Sequence, residues 1–421
     1  MIYVRSLGKR FGPSLLLMAG ALGLLIAATL PAQTQTLTTL YSFGSQSPDG
    51  AYPWGGLVLA GGKLYGTTAG GGMGWGYGVA FEVNIKKKTE TLLYEFVNCQ
   101  ECGPVLGYPG GGLVRDSKGN FYGSTGDNSS GYLYEITASG TVELLYTFTG
   151  SPDGINPEGS LIDAKGNLYG TTVGGGYSPQ GGCPGPDQCG TVFEWSPTSG
   201  EKVLYSFNFN GATNTDGMWP VAGLVRDSKG NLYGTTYHGG SDNCGYGCGT
   251  VFEVMPKGTE KVLWAFQGGN DGAYPIAGLI RDKAGNLYGT TSGFGVPWAN
   301  LGSVFELTTS GTMKVLYDFC AVQNCADGFS PQGGLVMDAA GNLYGTTYYG
   351  GAYGGGQSGG TIFKLTPQGV YTVLYTFCSQ PNCTDGSDPR GSLVRDAKGN
   401  LYGVTASGGA YGFGTVFKLT P

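Results

Sequence analysis

A short segment of the form GNLYG recurs along the chain and constrains the fold more than any other feature. Its tyrosine falls at seven positions: Tyr65, Tyr122, Tyr169, Tyr233, Tyr288, Tyr344 and Tyr402. The first and last copies are six intervals apart, so the mean period is about 56 residues. Self-similarity at such a period is typical of solenoids and propellers, in which each unit packs on its neighbours. The sequence is therefore a tandem array of seven units.

Each unit has the pattern of four short β-strands, lettered A to D. The clearest copy spans Gly223–Phe266, where GLVRD, LYGTT, GTVFEV and KVLWAF are separated by turn sequences. Short apolar runs bounded by turn residues indicate antiparallel strands. Glycine, proline and β-branched residues interrupt every 3.6-residue pattern, so no helix is expected. We predict an all-β fold, a seven-bladed β-propeller of four-stranded blades.

The two ends of the array complement each other. The segment Thr36–Phe43 matches strand D, and Thr415–Pro421 matches strand C of the seventh unit. We expect Leu37–Phe43 to lie beside Val416–Leu419, so that the N-terminal strand completes the last blade. A solenoid would gain nothing from this offset, whereas a ring must close.

Residues 1–32 have the pattern of a secretory signal peptide. Arg5, Lys9 and Arg10 precede an apolar stretch that ends near Ala32. We expect cleavage near Ala32, and an uncleaved membrane anchor is the alternative because the stretch is long enough to span a bilayer. No second apolar run of that length follows, and residues 33–421 form one predicted propeller domain. The predicted location is extracellular or in the cell envelope, in the periplasm or on the outer surface.

The charge balance excludes one class of partner. Removing residues 1–32 takes away three positive charges and lowers the formal net charge from -6 to -9. A chain this acidic repels phosphate backbones, and no basic stripe offsets the repulsion. We expect a monomer that does not bind nucleic acid.

The ten cysteines fall in five pairs of close neighbours. The pairs are Cys99 and Cys102, Cys183 and Cys189, Cys244 and Cys248, Cys320 and Cys325, and Cys378 and Cys383. In an exported protein this spacing predicts five local disulfides. Loops this short remove little chain entropy, so each bond contributes at most about 2 kcal/mol and mainly stiffens its loop.

The frame GGLVRDSKGNLYGTT…GTVFEL…VLYSF, found across Gly111 to Phe417, resembles the GloVer tandem-repeat proteins, which are also called choice-of-anchor proteins. The resemblance covers nearly all of the chain after residue 32. The D-x-x-G-N-hydrophobic-Y core is also similar, more weakly, to the first hairpin of NHL-type propellers. The resemblance implies an exported repeat protein at the cell surface or outside the cell, and it brings no catalytic residue set with it.

Antiparallel blades place the A–B and C–D links on one face and the B–C and D–A links on the other. The second set is long, variable and contains all ten cysteines, so function is expected on that face. Six D–A links share Asp-Gly followed by proline, with the aspartates Asp49, Asp153, Asp216, Asp271, Asp327 and Asp385. Turn chemistry favours a structural return turn. A ring of carboxylates that binds Ca²⁺ is the alternative, and no other cofactor is expected.

Aromatic residues crowd the same loops and suggest a ligand site between adjacent units. The predicted stacking residues are Trp219, Tyr237, His238 and Tyr274, and Asp216 and Asp271 would accept hydrogen bonds from ligand hydroxyl groups. Exposed rings beside glycine suit the faces of sugars or peptide side chains. The alternative is that each ring packs on its own loop.

Three functions remain open. The favoured one is a binding scaffold for a glycan or a protein; the others are an enzyme acting on extracellular polysaccharide, as a lyase or hydrolase, and a purely structural envelope component. His238 is the only histidine, which excludes a zinc site built from several histidines. A carboxylate cluster that breaks the repeat at the channel mouth would favour the enzyme, whereas evenly repeated aromatic loops would favour binding.

Overall fold

The structure is a computed structural model that describes residues 35–46, 48–72, 76–96, 108–126, 131–162, 166–177, 189–208, 216–241, 243–293, 301–352 and 359–420. These residues form seven small antiparallel sheets arranged in a ring, a seven-bladed β-propeller. The predicted signal peptide, residues 1–32, lies outside the described residues. Among the described residues, no helix has the length and apolar character needed to cross a membrane.

The first three blades follow one another along the chain. The first blade contains β2 (Gly50–Pro53), β3 (Val58–Ala60), β4 (Lys63–Gly71), β5 (Val79–Asn84) and β6 (Thr89–Glu95). The second contains β7 (Tyr108–Pro109), β8 (Val114–Arg115), β9 (Phe121–Gly126), β10 (Gly131–Ile136) and β11 (Val142–Phe148). The third contains β12 (Gly154–Ile162), β13 (Leu168–Gly175), β14 (Thr191–Ser196) and β15 (Gly200–Ser206).

The next three blades have four strands each. The fourth blade contains β16 (Val225–Arg226), β17 (Leu232–Thr236), β18 (Thr250–Val254) and β19 (Glu260–Ala265). The fifth contains β20 (Ile280–Arg281), β21 (Leu287–Thr291), β22 (Ser303–Leu307) and β23 (Met313–Asp318). The sixth contains β24 (Val336–Met337), β25 (Leu343–Thr347), β26 (Thr361–Leu365) and β27 (Tyr371–Thr376). Short 3₁₀ turns at Gly269–Asp271, Gln323–Cys325 and Pro381–Cys383 lie in the D–A links.

The seventh blade contains strands from both ends of the array. They are β28 (Ser387–Pro389), β29 (Val394–Arg395), β30 (Leu401–Ser407), β31 (Thr415–Thr420) and β1 (Thr36–Ser42). Strand β1 pairs antiparallel with β31, with Leu37 opposite Leu419 and Thr38 opposite Lys418. It occupies the outer edge of this sheet, as strand D does in the other blades.

One aromatic pair fills each boundary between blades. A phenylalanine at the end of strand D meets, edge to face, the ring at the centre of strand C in the next blade. The pairs are Phe43–Phe81, Phe96–Tyr134, Phe148–Phe193, Phe207–Phe252, Phe266–Phe305, Phe319–Phe363 and Phe377–Phe417, with ring centroids 5.0 to 5.3 Å apart. Edge-to-face contacts of buried rings stabilise a core beyond the area that they bury.

The glycine of the LYGTT segment makes room for these rings. A Cβ at Gly234 would lie 2.5 Å from Cζ of Phe252, and one at Gly345 would lie 2.6 Å from Cζ of Phe363. Only a residue without a side chain fits against the ring, which explains why this position of strand B is glycine in every unit.

Candidate functional site

In six of the seven D–A links an aspartate holds the link in place. It accepts a hydrogen bond from the ring of a residue on the preceding strand D and further bonds from backbone amides just after that strand. The ring donors are Tyr41 to Asp49, Tyr146 to Asp153, Tyr205 to Asp216, Trp264 to Asp271, Tyr317 to Asp327 and Tyr375 to Asp385, over 2.6 to 3.2 Å. Each carboxylate therefore serves its own turn, because its hydrogen bonds run to the outer strand.

In five blades the residue before the proline then ties the blade to the one before it. Trp219 and Tyr274 adopt left-handed backbone conformations, with φ of 57° and 58°. Their amides donate to carbonyl oxygens of the preceding blade's B–C link, those of Cys189 and Cys248, over 2.9 and 2.8 Å. This anchoring directs the chain inward, so the residues after the proline reach the centre of the ring.

A bulge in strand A turns the next residues toward the channel. In the first blade Pro53 lies opposite Thr68 and Val58 lies opposite Tyr65, so five steps along strand A face only three along strand B. In the third blade the register shifts between Pro157 and Gly159. Bulges re-aim side chains in this way.

The residues after the prolines line a central channel of about 610 Å³. Around the ring they are Trp54, Gly110, Glu158, Val221, Ile276, Gln332 and Arg390, and Trp219 and Tyr237 also line the channel. A channel of this size suits a small ligand. The seven blades thus place seven different residues at one position of their D–A links, and this ring gives the channel its chemical character.

The predicted aromatic residues lie together. His238 is the centre of the cluster, with ring centroids 5.0 Å from Trp219, 4.5 Å from Tyr237 and 5.3 Å from Tyr274. Trp219 and Tyr237 are half-buried, whereas Tyr274 is only 4% exposed and packs in the hydrophobic core. Trp219 and Tyr237 line the channel, whereas His238 and Tyr274 do not and pack against them.

Hydrogen bonds fix the supporting rings. Nδ1 of His238 donates to the carbonyl oxygen of Gly247 over 3.1 Å, and the hydroxyl of Tyr274 donates to the carbonyl oxygen of Cys244 over 3.0 Å. Burial lowers the pKa of His238 below its usual value, which favours a neutral imidazole. Burial raises the pKa of Tyr237 and of Tyr274, so both phenols stay neutral.

The two predicted hydrogen-bonding carboxylates have partners within their own links. Asp216 accepts from the Tyr205 hydroxyl over 2.6 Å, and Asp271 accepts from Nε1 of Trp264 over 3.2 Å. Burial raises the pKa of both carboxyl groups. Neither residue lines the channel, so a role in ligand binding stays a prediction for them.

Three polar residues at the channel did not emerge from the sequence. Arg390 lies over the ring of Trp54, with its guanidinium carbon 3.8 Å from the centroid. Burial raises the pKa of Glu158 to about 7, although the positive charge of Arg390 opposes this shift. Oε1 of Gln332 is buried and has no hydrogen-bond partner. The position after the D–A proline, compared across the seven units, would have singled out all three as exceptions.

Cysteine loops surround this face of the propeller. Disulfides join Cys244 to Cys248, Cys320 to Cys325 and Cys378 to Cys383, which confirms three of the predicted pairs. Cys189 is also disulfide-bonded, while Cys99, Cys102 and Cys183 lie outside the described residues. These disulfides indicate an oxidising compartment.

The described residues also bear on metal binding. They contain no group of three or more His, Cys, Asp or Glu side chains placed to hold a metal ion. Calcium binding stays a prediction.

The comparisons with known proteins concern the repeat and the fold. The family model of the Gloeobacter/Verrucomicrobia repeat matches residues 6–184, 180–356 and 245–421. No curated protein gives a significant sequence match. The fold is similar to that of virginiamycin B lyase from Staphylococcus aureus, with a TM-score of 0.57 and 14% identity over 92% of this chain and 99% of that one.

Two further solved structures match less closely. A protein from Lactobacillus plantarum matches with a TM-score of 0.48 and 15% identity, over 78% of this chain and 85% of that one. A gluconolactonase from Xanthomonas campestris matches with a TM-score of 0.40 and 13% identity, over 72% and 82%. At these identities the likeness concerns the fold alone.

Proposed function

The chain belongs to the Gloeobacter/Verrucomicrobia repeat family, and on that premise we propose that it is an exported saccharide-binding protein whose ligand enters the mouth of the central channel. One observation carries the proposal: each blade places a different residue at the same position of its D–A link in the channel, where aromatic rings and hydrogen-bonding groups converge. A purely structural ring would not need this variety.

The aromatic residues supply surfaces for sugar rings. Trp219 and Tyr237 are half-buried at the channel in the fourth blade, and Trp54 is 41% exposed in the first. Because His238 and Tyr274 pack behind Trp219 and Tyr237, these rings lose little freedom when a ligand stacks on them. Rigid amphipathic rings provide contact area at low entropic cost.

The polar residues supply the specificity that a sugar requires. Hydroxyl groups need partners that donate and accept, and the channel offers both in Arg390, Gln332 and Glu158. A few placed polar groups within an apolar cleft are typical of small-molecule sites. A protein ligand would instead need a broad surface, whereas these groups line a channel.

Export is part of the proposal. The residues of the predicted signal peptide and the disulfides are its support, since disulfides persist in oxidising compartments. Expression with residues 1–32 attached, followed by amino-terminal sequencing of the exported protein, tests it. A new terminus near residue 33 supports export with cleavage, and retention of the whole chain inside the cell contradicts it.

A saccharide array probed with the exported protein tests the binding function. For a saccharide that binds, calorimetry should show that Trp219→Ala and Tyr237→Ala each weaken affinity by about tenfold, because each loses roughly 1 to 2 kcal/mol of stacking. Tyr177→Ala is the matched control, since Tyr177 is 63% exposed and does not line the channel. Binding to no saccharide, or equal losses in all three variants, would overturn the proposal.

Glu158 supports a second candidate, an enzyme acting on polysaccharide. It is a single carboxyl group that breaks the repeat inside the channel, and burial raises its pKa to about 7. A carboxyl group that titrates near neutral pH suits general acid or base catalysis. Chromatography of saccharides after long incubation should reveal products that Glu158→Gln does not form; unchanged saccharides would leave binding as the function.

A further inference from the structure

Arg390 is a cation that forms no ion pair with the residues that the structure describes. It follows Pro389 in the seventh blade and lines the channel. Within the described part of the chain, its guanidinium makes no hydrogen bond or ion pair; its close contact is the Trp54 ring, 3.8 Å away. Burial lowers the pKa of Arg390, but an arginine side chain still remains protonated at neutral pH. A half-buried charge without a partner costs free energy.

The groups around Arg390 do not fill this role. Glu158 interacts with Arg390 only electrostatically, across the channel. The two residues belong to the third and seventh blades, which lie on opposite sides of the ring. Asp388, two residues before Arg390, accepts a hydrogen bond from the Ser387 hydroxyl over 3.2 Å. The five N–H donors of the guanidinium thus have no acceptor among the residues that the structure describes, and Arg390 lines the channel.

The neighbouring blade presents the complementary group. Gln332 follows Pro331 in the sixth blade, at the position that Arg390 holds in the seventh, and it also lines the channel. Its Oε1 is a buried acceptor without a donor. A buried acceptor left unpaired destabilises the folded protein, and a hydrogen bond from a ligand hydroxyl would remove this penalty.

We propose that the ligand is an acidic saccharide, in which Arg390 binds the carboxylate of a uronic acid and Gln332 accepts a hydrogen bond from a hydroxyl of the same unit. The inference rests on the proposed saccharide binding and names its ligand class. A guanidinium group binds a carboxylate through two parallel hydrogen bonds. Stacking on the Trp54 ring fixes the plane of the Arg390 guanidinium. A sugar acid carries a carboxylate and a hydroxyl group close together. This arrangement matches the donor of Arg390 and the acceptor of Gln332, which lie on adjacent blades.

Calorimetry with homotetramers of galacturonic, glucuronic and mannuronic acid, and with their methyl esters, tests the inference. We expect at least one acid to bind more tightly than its ester. For that acid, Arg390→Met should weaken binding by about 10- to 100-fold, the loss of a charged hydrogen-bonded pair, and should leave binding of the ester unchanged. Arg395→Met is the matched control, because Arg395 lies in the same blade near Tyr344 and does not line the channel. Arg390→Gln provides a second variant if the methionine variant is poorly folded.

The outcomes separate this inference from the proposal beneath it. If neutral saccharides bind through Trp219 and no uronate binds better than its ester, saccharide binding stands and the acidic ligand is wrong. If Arg390→Met and Arg390→Gln bind the acid as tightly as the unchanged protein, the inference is also wrong. A sulfated tetramer that binds more tightly than every uronate would replace the carboxylate with a sulfate and overturn the assignment. Binding to no saccharide of any kind would remove the proposed function itself.

Discussion

The inner rim of the channel provides the sharpest test of the packing. Each blade carries glycine or alanine at this rim, and a Cβ at Gly333 would lie 2.7 Å from the carbonyl oxygen of Gly391 and 3.0 Å from that of Arg390. Ordinary contact begins at 3.4 Å, so Gly333→Ala must move the backbone of the seventh blade by about 0.7 Å. Backbone atoms cannot rotate away as a side chain can.

Overpacking of this kind costs about 1 to 3 kcal/mol. In a domain of this size each kcal/mol lowers the unfolding midpoint by about 2 °C, so Gly333→Ala should lower it by about 2 to 6 °C. Thermal unfolding followed by far-ultraviolet circular dichroism at one scan rate measures the change. Because Arg390 belongs to the displaced backbone, the variant should also bind an acidic saccharide more weakly.

Gly223→Ala is the matched control. Gly223 lies on the same rim, its backbone has no left-handed φ, and a Cβ there would meet nothing within 4 Å. This substitution should leave the midpoint nearly unchanged. Equal losses in the two variants, or a stable Gly333→Ala, would refute the argument that contact between backbones sets the width of the ring.

Two further predictions concern the outer part of the propeller. Glu90, Glu201 and Glu260 each have a buried Oε1 without a partner, and burial, together with the charges of Asp49, Asp153 and Asp216, raises their pKa values to about 7, 7 and 8. Because the folded protein holds these protons above the ordinary glutamate value of about 4.3, their contribution to stability is full below that pH and is lost progressively as the pH rises from there through 7 to 8. Urea midpoints should therefore fall as the pH rises from about 4 to about 8. They should change less in the triple Gln variant, and an unchanged pH dependence contradicts the assignment. Thr38→Cys combined with Lys418→Cys should form a disulfide, because these residues are opposite each other in β1 and β31. Thr38→Cys combined with Lys364→Cys is the control and should not form one. Mass mapping of the crosslinked peptides measures both, and equal crosslinking would contradict closure by the N-terminal strand.

The architecture could be predicted from sequence because its determinants are local. Each hairpin depends on turn residues a few positions apart, and each of the three described disulfides closes a loop of neighbouring cysteines. Seven copies of the same local pattern leave a ring of seven blades as the fold. For the same reason, the sequence placed Trp219 and Tyr237 on the face that carries the B–C and D–A links.

The direction of individual side chains depended on the tertiary structure. Tyr274 occupies the same position of its unit as Trp219, yet its ring is buried in the core. Asp216 and Asp271 bind the outer strand because an aromatic donor lies within reach there. A linear pattern shows that these residues lie in a link but not which way the link turns them.

The channel itself exists only in the closed ring. Trp54 and Arg390 come from opposite ends of the repeat array and meet because the first and seventh blades are neighbours. Glu158 joins them through a bulge that turns the residue after its proline inward, and Gln332 lines the channel from the matching position of its own link. The hydrogen bonds and turns of a blade depend on residues within one repeat, so the sequence determines the blade. Contacts between distant repeats arise only when the ring closes. The tertiary structure alone therefore decides which side chains share the channel.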